Sequence, residues 1–261
     1  MTGTVRSEIT AHHPGPRAWA ALIGAEVRMV IRDTAGLLIP VGLPLLILVM
    51  NGLGESRQVI PGAGGRPAFD VYVMPLVFTI VIATIGVVNM PSFLAYYRRT
   101  GVLRRLAVTP AHPTMVLAAQ VVTSVLQTVV GITLAVVVAV LAFDASAPAN
   151  PALALAVLSL AALSMYAIGV LIAAVAPTGN AAVAIGLAAF FGMGATGGMF
   201  GPTANLPEPV ARVGEALPFG AAVQAVGAAW SDSAPNPVHL LSMVGVAVVS
   251  SVVAARFFRW T

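Results

Sequence analysis

The chain has 261 residues, of which 59% are hydrophobic and only 8% charged, with a mean hydropathy of +0.96. So few charges cannot cover the surface of a soluble globule of this size, and disordered chains are polar and charged, so the composition indicates an integral membrane protein. With no Cys and no Lys (all 13 basic residues are Arg), disulfides, thiolate nucleophiles and a lysine-bearing phosphate loop are excluded.

The first 18 residues are polar and lack an early apolar core, so no cleavable signal peptide is expected. Residues 17–33 form the first expected element, an amphipathic interfacial helix. Trp19, Leu22, Ile23, Val27 and Val30 share one stripe, and Arg17, Arg28 and Arg32 face the other way. Glu26 interrupts the apolar stripe. A membrane-surface anchor and a face at which Glu26 meets a partner protein are both consistent with this pattern.

Six apolar runs are long enough to cross a bilayer as helices, at 36–53, 71–94, 114–143, 152–175, 181–200 and 238–257. The fold class is therefore an all-α integral membrane protein with a single transmembrane domain. Ten Arg fall on the side of the termini and three on the other, counted from Arg6 to Arg259, which places both termini in the cytoplasm.

Asn89 is the polar residue of the second run. Tyr96 to Pro113 is an Arg-rich cytoplasmic loop in which Leu103 and Leu106 make a small apolar face while Arg104 and Arg105 point elsewhere. Thr109-Pro110 stops that turn. Such a segment could dock on a soluble subunit, or its four Arg could serve only topology and lipid phosphate.

In the third run, Gln120, Thr123, Ser124, Gln127, Thr128 and Gly131 occupy one helical face. Amides and hydroxyls facing lipid would be unsatisfied, so this face points at protein or water. Helix packing and the lining of a translocation path both fit.

The fifth run is dense in Gly. Gly194/Gly198 and Gly197/Gly201 are small-xxx-small pairs, and so many glycines mark a helix end or a kink. Residues 201–237 form a long external connection. No run carries an Asp or Glu at its middle, as an ion-coupled carrier would need, and the spans contain no paired-carboxylate, Ser/His/Asp or metal-ligand constellation. The basic residues are scattered in short clusters without aromatic platforms, which argues against nucleic acid.

Three motifs occur in a fixed order. R-x-x-G-x-L-x-R-L-x-x-T-P spans Arg98 to Pro110, with Arg99 and Gly101 inside it. G-x-x-x-P runs from Gly198 to Pro202. Leu206-Pro207 and Leu217-Pro218 are separated by nine residues. With the interfacial helix and six spans, this order resembles the membrane subunit of type-2 ABC exporters, which move drugs, lipids and polysaccharides.

The resemblance implies two such subunits, the same or similar, with a cytoplasmic ABC ATPase dimer. ATP and Mg2+ would be bound by the ATPase and no cofactor by this chain. It implies ATPase-coupling roles for Glu26, Arg98, Arg99, Gly101, Leu103, Arg104, Arg105, Leu106, Thr109 and Pro110. It also implies a pair of short re-entrant helices after Pro202. Where the family often has Glu early in the coupling loop, Arg98 and Arg99 stand here, which implies an acidic docking surface. The competing readings are a channel-like or scaffold membrane protein without energy coupling, and an intramembrane lipid-modifying enzyme, for which the required acid, His or metal cluster is missing.

Overall fold

Backbone groups in lipid must be satisfied within the chain, and for an isolated apolar run only the helix does this. The computed structural model describes residues 15–54, 58–59, 65–99, 101 and 114–257, and among these it is helical with no β-strand, only one isolated bridge between Val59 and Pro67. Six helices among the described residues are long and apolar enough to cross a membrane.

Helix α1 covers Pro16–Arg32 and α2 covers Thr34–Leu53, joined by a single residue. Asp33 ends the first helix through its own N–H, which reaches the Met29 and Val30 carbonyls, and starts the second by accepting from Gly36 N at 3.1 Å. Pro40 and Pro44 lie inside α2.

The chain then threads the centre of the bundle. A π turn at Phe69–Val73, α3 at Met74–Ala83, a second π turn at Thr84–Asn89 and α4 at Met90–Arg99 form one continuous rod. All residues from 73 to 87 are buried, so this span is shielded by its neighbours. The other five expose broad apolar faces, such as Val125, Val129 and Val130 on the following helix.

Helix α5 spans Thr114–Phe143, α6 Pro151–Val175 and α7 Gly179–Thr196. Asn150 and Thr178 cap α6 and α7 by accepting from Leu153 N and Ala181 N. A short 3-10 turn at Thr203–Asn205 leads to α8 at Glu208–Ala216, α9 at Pro218–Trp230 and α10 at Pro237–Phe257. Helix α10 lies along α6 through a narrow line of buried Met243, Ala247, Ser250 and Ala254. Small residues allow that close approach where no hydrophobic effect drives helices together.

The fifth span is shorter than the 181–200 expected, because the helix stops at Thr196. Gly198 and Gly201 then take φ of +96° and +148°, which leave the helix and suit glycine alone. The 201–237 connection resolves into two contrasting helices: α8 is largely exposed, with only Gly214 buried, whereas α9 is buried along most of its length.

Candidate functional site

The face of α1 turns inward onto α5 and α2. Trp19, Leu22, Ile23 and Val27 are half-buried, and Val30 and Glu26 are buried. Glu26 therefore does not stand free on the helix surface as a contact for another protein. The Tyr97 hydroxyl donates to its Oε2 at 2.5 Å and lies 3.6 Å from Met29 Sδ. A carboxyl can be taken out of water when it is hydrogen-bonded. Burial lifts the Glu26 carboxyl above its ordinary range, and the Tyr97 hydrogen bond opposes the rise.

Tyr97 sits two residues before the end of α4, so this bond ties α1 to the rod just before the Arg-rich segment. Arg98 and Arg99 form the last turn of α4, and Arg99 is exposed. Gly101 has φ +69° with open space where a Cβ would stand, so it ends the rod with a left-handed residue. Leu103, Arg104, Arg105, Leu106, Thr109 and Pro110 lie outside the described residues.

The polar stripe of α5 faces protein along its whole length. Gln120, Thr123, Ser124, Gln127 and Thr128 are all buried. Thr128 Oγ1 lies 2.6 Å from the Tyr166 hydroxyl of α6, which donates to the Ser124 carbonyl at 3.1 Å. Gln120 Oε1 and Thr123 Oγ1 are buried without a hydrogen-bond partner among the described residues. Gly131 brings α5 against Val81 of the rod.

Gln127 reaches across to α2. Its Nε2 donates to the Gly36 carbonyl at 2.8 Å, and Asn89 Nδ2 donates to the same oxygen at 2.6 Å. The cause lies four residues along: Pro40 has no N–H, so Gly36 loses its helical partner. Two amides from different helices take that place, fixing the first turn of α2 between the rod and α5.

Asn89 closes the second π turn, whose extra residue bulges the backbone toward α6 and α7. Glycines receive it: a Cβ on Gly169 would lie 1.9 Å from the Gly86 oxygen, and one on Gly186 would lie 2.5 Å from the Val87 oxygen. Three spans therefore meet at backbone distance around residues 86–89.

The Gly-rich end of α7 packs within the chain. Gly194 abuts Met199, and Gly197 abuts Phe219 and Gly220 of α9. The Tyr72 hydroxyl donates to the Gly198 carbonyl at 2.5 Å and lies 3.2 Å from that of Gly201. Pro202 precedes the 3-10 turn, Pro207 precedes α8 and Pro218 opens α9. On the same side of the rod, buried Asp70 accepts from Ser146 N at 3.3 Å, and Trp230 Nε1 donates to the Ser146 carbonyl at 3.1 Å.

A cleft of about 470 Å³ opens beside the Gly36 clamp, lined by residues of α1, α2, the rod and α7. Asp33 and Asn89 are on its wall, as are Phe93 and Tyr96. Sequence reasoning singled out Asn89 and Gln127 by polarity alone. It missed Tyr97, Tyr166 and Tyr72, whose rings pass as apolar, and the free Gly36 carbonyl, for which Pro40 was the signal.

A family model described as ABC-2 type transporter matches residues 17–229. That interval begins in α1 and ends in α9, so it takes in nearly all of α1, five of the six apolar helices and both short helices. A search of curated proteins found no match.

Proposed function

The chain belongs to the ABC-2 type transporter family as a multi-pass membrane permease, and we propose that it is one permease subunit of an ATP-driven exporter, energised by a separate ATPase. The family match over most of the chain carries this reading. Six apolar helices support it, and so does the absence of lysine, which leaves the chain without a phosphate-loop motif of its own. The cargo in this reading is hydrophobic or amphipathic: a drug, lipid or glycolipid carried out across the cell membrane of a bacterium.

Two permeases, identical or similar, associate with two cytoplasmic ATPases that bind ATP and Mg2+. The loop from Arg98 to Pro110 is the coupling element, with both termini on its side of the membrane. The rod enters this loop directly, and the Glu26–Tyr97 bond makes α1 follow the end of the rod. Asp33 and the Gly36 clamp hand that displacement to α2. Helices α8 and α9 form the outer re-entrant pair, with buried α9 covered by α6 and the rod, as irregular backbone at membrane depth requires.

Purification under gentle extraction tests the reading. The expected result is an ATPase that copurifies at fixed stoichiometry and is released by Arg104→Glu/Arg105→Glu. A pure, ATPase-free oligomer would overturn it in favour of a channel-like or scaffold protein.

A further inference from the structure

The cleft beside the Gly36 clamp has an unusual polarity. Its hydrogen-bond donors are engaged within the chain: Asn89 Nδ2 donates to the Gly36 carbonyl, Ser92 Oγ donates to the Val88 carbonyl at 2.6 Å, and Gly36 N donates to Asp33 Oδ1. The Tyr96 hydroxyl is a further donor on the wall, and Asp33, Asn89 and Ser92 retain acceptor capacity beside it.

Charge points the same way. Among the described residues Asp33 is the one formally charged residue lining the cleft, where the carbonyl end of α1 and the N–H end of α2 meet with opposite partial charges. The exposed Arg28 and Arg32 line an adjoining recess that shares Met29 with the cleft. Most of the rest of the wall is apolar, with Phe93 and Tyr96 among its residues and Ile39 and Val183 at exposed positions. Its volume lies within the range of small-molecule sites.

We propose that this cleft binds the head of an amphipathic monocation, a primary or secondary ammonium on an apolar body, with Asp33 as its counter-ion. The Asp33 carboxylate disfavours a carboxylate, sulfate or phosphate, whose charge it would repel. Aromatic faces beside a carboxylate suit an ammonium by charge and by ring quadrupole. The assignment names the cargo class of the exporter and rests on that reading for its role, but binding itself requires neither ATP nor a partner.

The test uses the purified protein, with whatever copurifies, in phosphatidylcholine nanodiscs. Tritiated dodecylammonium is displaced by unlabelled dodecylammonium, dodecanol, dodecyl sulfate or lysophosphatidylethanolamine, with empty discs as the partition control. Dodecylammonium is expected to displace at roughly tenfold lower concentration than dodecanol, as a single charge-assisted contact implies. Asp33→Asn keeps a capping side chain and should erase that preference. Val183→Trp, at the rim, should abolish saturable binding of every head group.

Equal displacement by the ammonium, alcohol and sulfate would overturn the proposal, as would a preference that survives Asp33→Asn. Stronger displacement by the zwitterionic lipid would overturn the monocation assignment. If Asp33→Asn fails to fold, the head-group series on the unaltered protein and the Val183→Trp variant still decide. Lost head-group preference with ATPase coupling intact sinks this inference alone, and lost ATPase with the preference intact sinks the exporter reading alone.

Discussion

The tight approach of Gly169 to the second π turn gives a sharp test of the architecture. An alanine Cβ at 169 would lie 1.9 Å from the Gly86 carbonyl oxygen and 3.1 Å from its carbon, where ordinary contact begins at 3.4 Å. The backbone must therefore give by 3.4 − 1.9 = 1.5 Å. The obstacle is a buried main chain gripped on its other side by Gly186, so no flexible side chain can absorb the shift. Overpacking costs about 1–3 kcal/mol, and this geometry belongs at the upper end.

Gly192→Ala is the matched control, since a Cβ there meets nothing within 4 Å. Alanine in open space should stabilise a helix by about 0.5–1 kcal/mol. The two variants then differ by about 3–4 kcal/mol. At about 2–4 °C per kcal/mol for a chain approaching this size, their midpoints should separate by at least about 6 °C. The assay is thermal unfolding in one detergent at one scan rate, because membrane proteins often unfold irreversibly. Coincident midpoints would refute the packing of the π turn on Gly169.

Other consequences can be measured on the same preparation. Gln127→Leu and Asn89→Leu should each cost about 0.6 kcal/mol, as single polar contacts in membranes do. The double variant orphans the Gly36 carbonyl and should lose more than the sum, by about 1 kcal/mol, so strict additivity would dismiss the shared acceptor. Glu26 is more basic in the folded chain, which means the folded state holds its proton more tightly. Its stabilising share is full below the ordinary value of 4.5 and is lost as pH rises through the higher folded value. Midpoints followed across that window should fall in the native protein and stay flat in Glu26→Gln. Tyr97→Phe removes the bond that lowers this value, so it should move the fall to higher pH; an unchanged profile would count against the contact. Tyr72→Phe frees the Gly198 and Gly201 carbonyls and should increase hydrogen exchange at residues 197–203 relative to the native chain.

Six long apolar helices were readable from the chain alone, because bilayer thickness imposes a length and a composition on each run. Asn150 and Pro151 begin α6, whereas the fifth run was expected to reach residue 200 and its helix ends at Thr196, before the glycines. The polar face of α5 was also visible as a pattern, since apolar solvent makes every amide conspicuous. Local sequence could not show what each polar group meets. Gln127 and Asn89 are 38 positions apart, yet they share one carbonyl that a third segment exposes through Pro40. Glu26 read as a break in an apolar stripe, and only the return of the rod brought the Tyr97 hydroxyl to it. The second run was one apolar run among six, and its burial arises because five other helices pack around it. Periodicity reports the solvent of a face, whereas pairing depends on contacts across tens of residues, and those are decided when the helices close on one another.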